Sequence, residues 1–227
     1  MLDAEKGSDH IQALQALFGA ALRRAYGPRQ VLIREGDRPT SLYLLSQGTA
    51  TVSLTDWHGH HAVLSLLGPG EFFGEMGMLP GGEGHRSAQV TSRSEVVLLE
   101  IPYPRFIALC RDHPLLWLEL AGQLAQRLRT TNRRLVGQRV LKLHERLWYV
   151  LSELAARPDA EPVEDGHAVR ITRDELGMLI GCTRETAGLA LAEMAEEGRI
   201  RLLGRRIVVP AQSCSTESPP PPRMSEA

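Results

Sequence analysis

The sequence predicts an α+β protein: a glycine-punctuated β-roll, one long helix, and then a winged helix-turn-helix. Three observations predict this. Short strand-like runs broken by glycine turns fill the stretch from about Arg29 to Ile101. After His113 the apolar period changes from two to helical spacing. Two capped helical segments then meet at Gly181-Cys182, followed by a strand-like run turning at Gly204.

The bulk numbers are compatible with this. A chain of 227 residues suits one large or two smaller domains. Hydrophobic residues at 43% and charged residues at 23% describe an ordinary globular composition, and aromatics at 5% leave the core to Leu, Val, Ile and Ala. A net charge of -1 gives no general attraction to nucleic acid or membrane, so either partner needs a local patch. No apolar run reaches the roughly 18 residues of a membrane-spanning helix, and no membrane partner is expected. "MLDAEKGSDH" lacks the basic flank and apolar stretch of a signal peptide, so the expected location is the cytoplasm. Cys110, Cys182 and Cys214 are far apart with no C-x-x-C pair, which argues for incidental thiols rather than a metal or disulfide framework.

The strands come in order. "QVLIREGD" ends in a turn at Gly36-Asp37, and "SLYLLSQGTATVSL" makes two strands broken at Gly48. In the second, Ala50, Val52 and Leu54 alternate with Thr51, Ser53 and Thr55. "HAVLSLLGPGEFF" and "SAQVTSRSEVVLLEI" continue the series. Between them lies "GEFFGEMGMLPGGEGHRSAQV" (70–90), with Glu75 between Gly74 and Gly77 and Arg86 eleven residues later. Glycines admit close backbone approach to an anion, a carboxylate accepts from a sugar hydroxyl, and a guanidinium fork suits a phosphodiester.

Pro114 then opens a long helix, where its missing N–H costs nothing. About 25 residues of helix span roughly 37 Å, longer than a small domain needs. Leu120, Leu124, Leu128, Thr131 and Leu135 form a narrow stripe, with Arg127, Arg129, Arg133 and Arg134 on the remaining surface. The stripe is read as a homodimer seam in preference to a helix packed on the β-roll. "LKLHERLWYVLSELAARPD" is helical up to Pro158, with Leu141, Leu147, Trp148, Leu151 and Leu154 as its apolar face, and "AEPVEDG" reads as a loop. "QSCSTESPPPPRMSEA" is low-complexity and expected to be disordered.

In the C-terminal module, Thr172 and Glu175 make a capping box for a helix ending at Ile180. Thr183 caps a second helix from Arg184 to about Glu197, which Gly198 stops. Ala187, Ala190, Leu191 and Met194 form its inward stripe. Arg184 and Glu185 stand at its exposed start, where arginine can pair with guanine and glutamate can accept from cytosine. "RIRLLGRRIVV" reads as a two-stranded wing, and Arg199, Arg201, Arg205 and Arg206 cluster around it. The stretch from Gly137 to Pro210 is not basic overall, so DNA contact has to rest on placement.

"IGCTRETAGLALAEM" resembles the recognition region of the cAMP receptor protein (Crp/Fnr) family of bacterial transcription regulators. "VLIREGDRPTSLYLLSQGTATV" resembles that family's cyclic-nucleotide-binding β-roll, and "FFGEMGML" with "HRSAQV" its phosphate-binding cassette. The similarity runs from about Arg29 to Val209. It implies an effector β-roll over 1–112, a dimerisation helix over 113–139, a DNA-binding winged helix-turn-helix over 140–210 and a tail over 211–227. It further implies that Glu75 holds a ribose hydroxyl, that Arg86 and Ser87 hold the cyclic phosphate, and that Gly74 and Met76 belong to the same nucleotide site. Thr131 and Asn132 would face the base across the dimer. The family commonly has serine where Asn132 sits, so base preference is open between adenine and guanine. The implied DNA contacts are Thr183, Arg184, Glu185, Gly188, Leu189, Arg173 and Arg205. Family members often have arginine at the position of Leu189; here the leucine is open to three readings, a thymine-methyl contact, neutrality, or a different operator.

The expected protein is therefore not an enzyme: the sequence has no nucleophile–base pair, P-loop or metal-hydrolase motif. It is an allosteric homodimer on a two-fold operator in double-stranded DNA, working with RNA polymerase. No cofactor is expected, and the effector is cAMP or cGMP. Alternatives on the same fold are cyclic di-GMP as effector or no ligand at all. A haem or metal sensor is the remaining alternative, since "DWHGHHAV" gathers His58, His60 and His61, which are read as exposed turn residues with no metal site.

Overall fold

The computed structural model describes residues 16–55, 61–81, 84–204 and 206–211. The chain divides into two compact units, Met1–Arg139 and Val140–Ala227.

Among its described residues, the first unit has helical residues at 16–20 (α1) and then eight strands. These are β1 (Leu22–Tyr26), β2 (Val31–Ile33), β3 (Ser41–Gln47), β4 (Ala50–Thr55), β5 (His61–Leu67), β6 (Phe72–Phe73), β7 (Gln89–Ser92) and β8 (Val96–Pro102). They form two antiparallel four-stranded sheets, ordered β1-β8-β3-β6 and β2-β7-β4-β5. Helices α2 (Tyr103–Asp112) and α3 (Leu115–Val140) follow.

The period of two explains the layering. Along β3, Leu42 and Leu44 face one core while Leu45 faces another; Phe72 and Phe73 of β6 divide the same way, as do Leu99 and Leu98 of β8. The first core joins this sheet to Leu17, Phe106, Cys110, Leu116 and Leu120 of the helices. The second joins it to Ile33, Ala50, Leu67 and Val90 of the other sheet. Burial in the first core pushes the Cys110 thiol up to about 11, an inert buried sulfur.

The second unit holds α4 (Leu143–Ala155), β9 (Glu161–Val163), β10 (Gly166–Arg170), α5 (Arg173–Ile180), α6 (Arg184–Glu196), β11 (Arg201–Leu203) and β12 (Arg206–Pro210). Leu147, Leu151 and Leu154 of α4 are buried, as are Leu176, Leu179 and Ile180 of α5. Ala187, Ala190, Leu191 and Met194 of α6 are buried too, as the inward stripe requires.

Four expectations need correction. Strand β1 precedes the expected start of the β-roll, and its exposed "LRRAY" explains why: it lacks an apolar face. A separate helix, α2, precedes α3. The "AEPVEDG" loop contains β9, and the wing is part of a four-stranded sheet ordered β11-β12-β10-β9. Pro162 disguises β9, and an edge strand tolerates it. The stripe on α3 is also divided: Leu120 is 1% exposed in the core, whereas Leu128 and Leu135 are 61% and 56% exposed. Its first half is thus the core packing that the seam reading had set aside. Among the described residues, no helix is long and apolar enough to cross a membrane.

Candidate functional site

The glycine-rich segment becomes a compact cradle. Glu75 and Arg86 are only 4% and 7% exposed, and both have partners, as buried charges must. The Arg86 guanidinium donates to the Gly74 carbonyl at 2.7 Å, to the Tyr103 hydroxyl at 3.0 Å and to the Ser41 carbonyl at 2.8 Å. It also lies beside the rings of Tyr43 and Tyr103. Tyr103 in turn donates to the Gly74 carbonyl at 2.6 Å. Burial raises the Tyr103 phenol above its ordinary value despite the neighbouring arginine, so it stays a donor at neutral pH.

Two glycines make this packing possible. Gly74 has φ +76°, and a Cβ there would meet Arg86 Nη1 at 2.8 Å. A Cβ on Gly77 would lie 2.4 Å from Pro39 and 3.0 Å from the Tyr103 hydroxyl. The Gly36-Asp37 turn fixes the other limb: Arg86 N–H donates to Asp37 at 2.8 Å, and Gly36 N–H donates to the Arg86 carbonyl at 2.9 Å. Met76 opens a 3-10 turn over Met76–Met78 and is half exposed; Ser87 is exposed beside Arg86. Gly74, Glu75, Met76, Arg86 and Ser87 are thus one cluster, while Thr131 and Asn132 stand exposed on α3.

Sequence reasoning missed the helix side of this cluster. Arg127 of α3 donates to Glu75 Oε1 at 3.3 Å and to the Phe72 carbonyl. The sequence pattern places Arg127 on the solvated face, although it lies one helical turn before Thr131, and that spacing is the available signal. Tyr103 carries no such signal.

In the second unit, the Thr172 capping box is complete: its hydroxyl accepts from Glu175 N–H, and the Glu175 carboxylate accepts from Thr172 N–H at 2.8 Å. Gly181 closes α5, and Thr183 caps α6 by accepting from Thr186 N–H at 3.2 Å. Arg184, Glu185 and Leu189 all point to solvent, Leu189 at 69% exposure. Arg173, at the start of α5, lies across Gly188, where an added Cβ would meet its Cδ at 3.3 Å. The two helices therefore present Arg173, Thr183, Arg184, Glu185, Gly188 and Leu189 together. Arg205 lies outside the described residues.

Three of the arginines around the wing, Arg199, Arg201 and Arg206, are engaged. Arg201 pairs with Asp165, Arg206 pairs with Glu161 at 2.9 Å, and Arg199 stacks over Trp148 at 5.2 Å. The acids come from the β9–β10 hairpin that sequence reading took for a loop. His58 and His60 lie outside the described residues, as does the His61 side chain; among the described residues no His/Cys/Asp/Glu group is placed to hold a metal.

Comparison with known proteins agrees in both units. The family model for the cyclic nucleotide-binding domain matches residues 23–113, and that for the Crp-like helix-turn-helix domain matches residues 145–212. The chain is 33% identical over 201 residues to the cAMP-activated global transcriptional regulator Vfr of Pseudomonas aeruginosa, covering 88% of this chain and 94% of that one. It is 35% identical to the cAMP-activated global transcriptional regulator CRP of Haemophilus influenzae, over 81% and 82% of the two chains. Among solved structures, the c-di-GMP responsive global regulator CLP of Xanthomonas campestris is similar with TM-score 0.75 and 28% identity, over 88% and 98%. A two-unit chain with a buried carboxylate–guanidinium cradle, an exposed recognition helix and relatives of this identity belongs to the Crp/Fnr family of DNA-binding transcription regulators.

Proposed function

We propose that this protein is a homodimer whose affinity for a two-fold DNA operator rises when a cyclic mononucleotide, cAMP or cGMP, occupies the β-roll. The observation that carries the reading is the burial of Glu75 and Arg86 around Gly74. In it, Glu75 accepts from a ribose hydroxyl. Arg86 has five N–H donors and uses three internally, leaving two for phosphate oxygens. Ser87 adds a hydroxyl, and Gly74 and Met76 provide the backbone around the sugar. Thr131 and Asn132 face the base from α3.

The exposed Leu128, Leu135, Val136 and Val140 on α3 support pairing with a second copy. Each copy then offers α6 to the major groove of one half-site, with Arg184, Glu185 and Leu189 on base edges and Thr183, Arg173 and Arg205 nearby. RNA polymerase is the expected further partner. The names of the cAMP-activated relatives support ligand promotion over ligand release. Cyclic di-GMP is the second reading, favoured by the similarity to CLP.

Calorimetry with cAMP, cGMP and cyclic di-GMP on wild type, Arg86→Leu and Ser87→Ala tests the site. Mononucleotide binding that weakens in both variants supports it; unchanged binding in Arg86→Leu rejects it. Binding of cyclic di-GMP alone moves the assignment to the second reading. Leu189 has its own test: selection of half-sites from a random pool is expected to give altered preference at the position an arginine would read, worth about 1 kcal/mol. Recovery of the usual family half-site with full discrimination there would contradict that expectation.

A further inference from the structure

Phe72 sits on an edge strand. β3 takes one side of its segment, with Leu45 N–H donating to the Glu71 carbonyl and Gly70 N–H donating to the Leu45 carbonyl. The N–H and C=O of Phe72 therefore point away from β3, toward α3. There the Gln123 side chain behaves like a residue of a neighbouring parallel strand. Its Oε1 accepts from Phe72 N–H at 2.8 Å, and its Nε2 donates to the Gly70 carbonyl at 2.9 Å. The second Nε2 hydrogen goes to Glu119 Oε1 at 2.9 Å, one turn back on the helix.

This arrangement has one orientation. Turning the amide over would set a donor against Phe72 N–H and an oxygen against the Glu119 carboxylate. One turn further on, Arg127 takes the Phe72 carbonyl and Glu75. Glu119, Gln123 and Arg127 thus form one polar stripe of α3 that holds the segment 70–75 by its backbone and by its carboxylate. The ion pair tolerates sliding; two hydrogen bonds from a planar amide do not. Phe72 also anchors the same strand in the core with Leu116 and Leu120 of α3.

We propose that Gln123 is a positioning residue of the effector site, coupling occupancy at Glu75 and Arg86 to the set of α3. This rests on the effector reading above. Gln123 bonds to Phe72, Gly70 and Glu119 rather than to Glu75 or Arg86, and it ties segment 70–75 to α3, so that a displacement of one carries the other. Its loss should therefore spare nucleotide affinity and remove the response.

The test uses the full chain and a fluorescent duplex carrying the selected operator. Anisotropy gives DNA affinity with and without saturating cAMP, then cGMP, and calorimetry gives nucleotide affinity. Gln123→Met keeps the length of the side chain and removes the amide. Its nucleotide affinity is expected within about threefold of wild type, while the ratio of DNA affinities with and without nucleotide falls by about tenfold or more. A role confined to stability would lower the melting temperature and leave that ratio intact. Should Gln123→Met melt below the assay temperature, Gln123→Glu, which keeps the acceptor for Phe72 N–H and loses the donor, is read by the same thresholds. A wild-type ratio retained in the folded variant overturns the proposal alone. A wild type that binds neither nucleotide overturns the effector reading, and the proposal with it.

Discussion

The cradle and the recognition helix each contain an arginine and a glutamate, and the fold treats them oppositely. Arg86 and Glu75 are buried, and carbonyls, a phenol and Arg127 from the same unit satisfy them. Arg184 and Glu185 project into solvent from a capped helix start whose inner face is wholly apolar. The first site is organised before a small ligand arrives, which suits a ligand with few atoms that must repay its own ordering. The second keeps its charges uncommitted, which suits a large polyanion with its own donors and acceptors. Two wing arginines lie between these extremes: Arg201 is exposed and Arg206 half-buried, yet they pair with Asp165 and Glu161.

The largest expected effect comes from exchanging the two arginines' fates. Arg86→Leu takes the guanidinium donor from the Ser41 carbonyl, leaves the Gly74 carbonyl to Tyr103 alone, and removes the partner of the Tyr103 oxygen, and a buried polar group left unpaired costs about 1–3 kcal/mol. Denaturation should show this variant destabilised by about 3 kcal/mol in addition to its lost nucleotide binding. Arg184→Leu should leave stability within about 0.5 kcal/mol of wild type and weaken operator binding by about 1–3 kcal/mol. Equal stability losses in the two variants would break the comparison.

Two glycines sharpen it at the next scale down. Gly77→Ala forces a Cβ to 2.4 Å from Pro39, so a loss of about 1–3 kcal/mol is expected in thermal unfolding. Gly188→Ala meets only the flexible Arg173 side chain and gains helix propensity, so its stability should hold or rise by up to about 1 kcal/mol. Its cost should appear instead in DNA affinity, read by anisotropy as Arg173 is moved aside. The smallest effect concerns the wing. Glu161→Gln combined with Asp165→Asn frees Arg206 and Arg201, changing stability by no more than about 1 kcal/mol. The slope of log affinity against log salt should steepen by about one to two units. An unchanged slope would mean these arginines do not reach phosphate.

The layers and the helix-turn-helix were legible because their signals are local. The strand at Ala50–Thr55 and the caps at Thr172 and Thr183 depend on neighbours within a few residues, and the structure has all three, although burial along that strand does not alternate across the bulge at Val52/Ser53. What could not be read were pairings across the chain. Tyr103 and Gln123 look like ordinary helix residues until β6 is laid beside them. Spacing also cannot tell a core stripe from a seam, so Leu120 and Leu128 look alike in sequence and differ in burial. Pro162 hid β9, and with it the acids that engage the wing.

The central claim is that filling the buried cradle changes what the exposed helix does. Anisotropy titration of a two-fold operator duplex, at one stated salt concentration, with and without saturating cAMP or cGMP, tests it most directly. The expected result is at least about tenfold tighter DNA binding with nucleotide, a coupling of about 1.4 kcal/mol, and no such gain in Arg86→Leu. Identical DNA affinity with and without both nucleotides, in a wild-type protein that binds the duplex, would contradict the account.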